Sequence, residues 1–102
     1  MNARKRRALE AAGWRIGDVR ELLALDDADG KIIETRVRLA RAVRELRRSR
    51  RLTQKQLAEL AGSSQPRVAA VESGKGTLDQ LIRLMFALGA DRKKVARAIA
   101  AA

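Results

Sequence analysis

With 102 residues, the chain is sized for one small domain with a single modest core. It contains no cysteine and no histidine, which removes disulfides, thiolate metal sites and the commonest acid-base catalyst, so neither an enzyme nor a metal or other cofactor is expected. Lys and Arg number 23 against 12 Asp and Glu, a formal net charge of +11, and that excess favours polyanionic partners, nucleic acid above all, because neutralised phosphates release condensed counterions.

Trp14 and Phe86 are the only aromatic residues beside many Ala, Leu and Val, a balance that predicts an all-α protein. No apolar run approaches the roughly 18 residues of a membrane span, and the start "MNARKRRALEAAGW" lacks the apolar stretch of a secretory signal, so a cytoplasmic protein without a membrane partner is expected. Basic residues cluster in "RKRR" at 4–7 and "RELRRSRR" at 44–51.

Residues 1–30 read as an N-terminal helical extension built from "RKRRALEAA" and "DVRELLAL", the second opened by a capping box of Asp18 and Glu21. Its Trp14, Ile16, Val19, Leu22, Leu23 and Leu25 are more apolar surface than two short helices hide on themselves, so they are expected to dock on the body or on a second subunit. After an acidic turn, "DDAD", a long helix is predicted from about Lys31 to Arg50, with Gly30 near its start and Ile33, Val37, Ala40, Val43 and Leu46 as its buried stripe. Thr53 and Gln56 form a second capping box, opening a helix "QKQLAEL" that stops at Gly62. A further helix is predicted over Gln65 to Ser73, ended by Gly74. Thr77 and Gln80 cap "LDQLIRLMFAL", closed by Gly89, and "RKKVARAIA" can start at Asp91.

Two short helices joined near a glycine, over about 53–73, are a helix-turn-helix arrangement, whose second helix lies in the DNA major groove. Ser64 as N-cap would leave Gln65 and Pro66 in the first turn, where proline's fixed φ is already helical and its missing N–H harmless. Gln65 and Arg67 would then project toward base edges, glutamine suited to adenine and arginine to guanine, and Ala70 could meet a thymine methyl. Val68 and Val71, on the other side, are expected to bury against Leu57, Leu60 and Ala61. The "GKGT" at 74–77 is not a nucleotide-binding loop, since Ala69 stands where that motif needs glycine and no strand precedes it.

Residues 46–90 resemble the Xre-type, phage-repressor-like helix-turn-helix family. The resemblance is carried by Leu46-Arg47, Leu52-Thr53-Gln54, Leu57-Ala58, Gly62, Ser64-Gln65, Val68, Glu72 with Gly74-Lys75, and the spaced leucines ending in Leu88-Gly89. It implies a five-helix, lambda-repressor-like bundle over 31–102 that binds double-stranded DNA as a homodimer, on operator half-sites about 34–36 Å apart, and regulates transcription as a repressor. It further implies that Thr53, Gln54, Ser64, Ser73 and Lys75 touch phosphates and that Arg47 and Glu72 form a partly buried ion pair. This chain departs from the family pattern at Arg51, where glycine is usual before the Leu-Thr-Gln run, and in its short "SGKGT" loop. The rival reading is a HigA-like antitoxin that binds a toxin protein as well as its own operator, with residues 1–30 as the docking surface. The dimer surface is expected either there or on the last two helices, with Leu84, Phe86, Val95 and Ile99.

Overall fold

The computed structural model describes Arg4 and residues 27–101. Apart from Arg4, which is helical and exposed, the expected helices of the extension, the Asp18–Glu21 capping box and the apolar residues from Trp14 to Leu25 lie outside the described residues. The chain divides into two compact units, Met1–Ile32 and Ile33–Ala102. Of the first, Arg4 and the opening of one long helix are described; the second holds the body.

Five helices, and no strand, make up the described residues: α1 Asp27–Ser49, α2 Gln54–Ala61, α3 Gln65–Ala70, α4 Leu78–Ala87 and α5 Arg92–Ala100. The long helix α1 starts earlier than expected. The "DDAD" stretch is not a turn before it, because Asp27 and Asp29 sit in its first turn, where carboxylates face the partial positive charge of unpaired N–H groups. Its buried residues are Leu39, Ala40, Val43 and Leu46, whereas Val37 is 51% exposed and Ile33 half-buried, which corrects the expected stripe. At about 100° per residue, Val37 and Leu39 lie on nearly opposite sides of the helix, so only one of them can face the core.

Capping fixes where the shorter helices begin. The Thr53 hydroxyl accepts from the Gln56 N–H (3.1 Å) while the Gln56 side chain accepts from the Thr53 N–H (2.8 Å), and Thr77 and Gln80 repeat the arrangement at 3.1 and 2.9 Å. Ser64 caps α3 and Asp91 caps α5, each accepting from the N–H three residues on. Caps of this kind are worth about 1 kcal/mol each.

The helix ends share one device. After α2, Gly62 takes a left-handed φ of 63°, donating to the Glu59 carbonyl while Ser63 reaches back to that of Ala58. Gly89 after α4 does the same, with φ 89° and Ala90 bonding to Met85. These are Schellman closures, which favour glycine because a Cβ strains the left-handed position. The third closure, after α1, places Arg51 there with φ 56°, Arg51 N–H on Arg48 and Leu52 N–H on Arg47. The turn is thus kept and the strain accepted.

Around these ends one core closes. Leu39, Val43, Leu57, Val68, Leu81 and Met85 are fully buried, drawn from the first four helices, and Val95 adds α5. Each such aliphatic side chain contributes about 1.5–3 kcal/mol relative to exposure. The guanidinium of Arg38 donates to the Ile99 carbonyl (3.0 Å), tying α1 to the last turn of α5.

Candidate nucleic-acid interface

The pair α2–α3 carries the residues singled out by sequence. Only the Gly62 closure and Ser63 separate α2 from the Ser64 cap, so the two short helices are held in a fixed mutual setting. Pro66 occupies the first turn of α3 without breaking it. Along α3, Val68 is fully buried, with Val71 just beyond at 2% exposure, while Gln65, Pro66 and Arg67 are exposed. The first turn is therefore open to a partner, with Gln65 and Arg67, two residues apart, on opposite flanks of the side that carries Val68 and Val71. Leu57 and Ala61 lie on the core side with Val68 and Val71, but Leu60 is 61% exposed and takes no part in that contact. It stands about a third of a turn away from the direction shared by Leu57, Ala58 and Ala61.

Past Ala70 the winding widens into a π-type turn, Val71–Lys75, broken by Gly74 with φ 89°. The expected single helix to Ser73 is thus two pieces, and the left-handed glycine ends the second. This turn brings Glu72, only 4% exposed, against α1. There the carboxylate accepts from Arg47 Nε (2.7 Å) and Nη2 (3.0 Å), while Arg47 Nη1 donates to the Leu52 carbonyl (2.8 Å) and Arg44 donates to the Glu72 carbonyl (3.2 Å). Hydrogen bonding to Glu72 holds the Arg47 pKa above its ordinary value, overcoming the opposing effect of burial, and the carboxylate's charge adds to the rise. A bidentate fork of this geometry locks the turn after α3 to the first core helix.

The pair is also the root of a hydrogen-bond chain that sequence spacing did not reveal. Gln54 Nε2 donates to Glu72 Oε1 (3.4 Å), and Gln65 Nε2 donates to Gln54 Oε1 (2.9 Å). Gln65 therefore stands exposed but oriented, with its carbonyl oxygen and one N–H still available. Side chains 11 and 18 positions apart meet here, and nothing in local periodicity announces such a meeting. Arg44 was marked in the sequence only as part of a basic cluster, not as a partner of Glu72.

The hydroxyls differ in what they can still do. Thr53 and Ser64 each accept a capping bond, which leaves their hydrogens free to donate outward. Ser73 instead donates to the Ala70 carbonyl (2.8 Å), so its one hydrogen is committed inside the turn. Ala70 is half-buried on the flank of α3, and Lys75 is exposed at the end of the turn. Arg67 makes no side-chain hydrogen bond or ion pair among the described residues. The face thus presents amides, hydroxyls and cations, and the one carboxylate behind it, Glu72, is neutralised by Arg47.

Leu84 and Val95 are 4% and 7% exposed, hence core residues and no part of a dimer surface, while Phe86 and Ile99 are exposed. Among the described residues no group of His, Cys, Asp and Glu could hold a metal ion, and no helix is long and apolar enough to cross a membrane.

A family described as a helix-turn-helix domain matches the chain over residues 22–96. Comparison with curated proteins and with solved structures gives no match.

Proposed function

The chain belongs to this helix-turn-helix domain family, and from that premise we propose that it is a cytoplasmic transcriptional repressor of the Xre type, binding an operator as a homodimer with α3 in the major groove. The observation that carries the reading is the open first turn of α3: Gln65, Pro66 and Arg67 exposed ahead of the buried Val68, and Gln65 held by Gln54 with a donor and an acceptor to spare. Those two remaining groups are what a bidentate pair with adenine requires, and the unpaired Arg67 fork suits guanine. Thr53, Ser64 and Lys75 border this face and contact phosphates, with Gln54 bridging the two tasks. The overall charge of +11 supplies the non-specific attraction. Phe86 and Ile99 are the exposed large apolar residues of the last two helices and the candidates for the two-fold contact.

The test is a titration of the protein, at two salt concentrations, against the DNA upstream of its own gene and a scrambled duplex of equal length. Preference for the upstream DNA is expected, with Arg67→Ala relaxing that preference and Lys75→Ala weakening both duplexes while lowering the salt slope by about one. Equal loss on both duplexes from Arg67→Ala would sink its base-reading role.

A further inference from the structure

Beside α3, on the flank shared with α4, lies an open depression of about 270 Å³. Its polar lining is Ser63, Arg67, Gln80 and Arg83, set against Val68 and Val71, and no Asp or Glu takes part among the described residues. Neither arginine is engaged: both are exposed, and Arg83, like Arg67, has no side-chain hydrogen bond or ion pair among the described residues. The guanidinium of Arg83, beside the like charge of Arg67, gains from an anion in the depression. The neighbouring amide is already oriented for such a guest. Gln80 spends its carbonyl oxygen on the Thr77 N–H (2.9 Å), so the end left to a ligand is the NH₂, a donor. Donors and cations gathered without a single carboxylate suit an oxyanion with several acceptor oxygens, and planar guanidinium forks match phosphate in particular.

We propose that Arg83, with Gln80 and Ser63, is a phosphate site for the DNA backbone, seated beside the base step that Arg67 reads. The proposal rests on the DNA-binding reading above, because the phosphate within reach of this flank when α3 lies in the groove is one of the duplex. Arg83 would thus supply, from the body of α4, a backbone contact that the short "SGKGT" turn has few residues to make.

The experiment compares wild type, Arg83→Gln and Arg83→Lys on the upstream and scrambled duplexes over a range of salt, with circular dichroism to verify the fold, which an exposed substitution leaves intact. Arg83→Gln is expected to weaken both duplexes by the same factor, about eightfold at 0.1 M salt from a slope of about 0.9 per phosphate, and to lower that slope by about one. Arg83→Lys should keep the slope. Wild-type affinity and slope in Arg83→Gln, or a loss confined to the upstream duplex, would overturn the proposal while leaving the DNA-binding reading in place. Failure of the wild type to bind either duplex would overturn both.

Discussion

Glu72→Gln should cost about 3 kcal/mol of folding stability, an estimate that follows from what the carboxylate touches. Glutamine preserves the volume and one acceptor oxygen, but it turns the other end into a donor facing Arg47, whose guanidinium has only donors to offer. Of the two bonds at 2.7 and 3.0 Å, one survives with a neutral acceptor in place of the carboxylate and the other becomes a repulsive contact. Breaking a buried pair costs roughly 3–5 kcal/mol. The lower end applies because Arg47 is 11% exposed at its side chain and keeps its bond to the Leu52 carbonyl. In a domain of this size the loss corresponds to about 12–24 °C in Tm, read by thermal melting and by urea titration. Pairing raises the Arg47 pKa. The cation's share of stability is therefore full below its unfolded pKa and is lost only as pH climbs through the raised folded value, so the deficit should be equal at about pH 7 and about pH 9. The double variant Arg47→Met/Glu72→Leu should lose less than the two single losses summed. A deficit below about 1 kcal/mol in Glu72→Gln, or single losses that simply add, would refute the reasoning.

Arg51→Gly should raise stability by about 1 kcal/mol, or about 4–8 °C in Tm, by removing a Cβ from the left-handed closure after α1, since that conformation costs an ordinary residue about 1–2 kcal/mol; an unchanged or lowered Tm would show that the arginine side chain repays its strain. Gly76→Ala should destabilise by about 1–3 kcal/mol although its φ is ordinary, because the new Cβ would lie 2.7 Å from Cγ2 of the buried Val71 and 3.2 Å from the Gln80 carbonyl oxygen that caps α4. A melt of Gly76→Ala matching the wild type would mean that Val71 can yield.

Helix boundaries were legible because they are written in short-range chemistry. Thr53 with Gln56, Thr77 with Gln80, Ser64, Asp91, Gly62 and Gly89 each act within five residues, and each appears where its spacing predicts. Burial was less legible. The N-terminal half of α1 carries Ile32, Ile33, Val37 and Leu39 around much of its circumference, so periodicity alone could not choose the face, and packing chose Leu39. Leu60, Leu84 and Val95 were misplaced for the same reason: apolar character does not say whether a side chain is core or surface. The site was legible as a set of residue types on α2 and α3, but not as a network. The path from Arg47 through Glu72 and Gln54 to Gln65 joins residues from three helices and a turn, and only the fold brings them within bonding distance.

The open first turn of α3 also bears on how such a protein can change its target. Arg67 makes no side-chain bond among the described residues, so mutation there is free to drift across chemical types while the bundle beneath stays sound. Gln65 is different. Its amide is leashed to Gln54, and through it to the carboxylate that anchors the whole segment. On the proposed reading, one letter of the address is therefore cheap to rewrite, whereas the other is inherited with the fold.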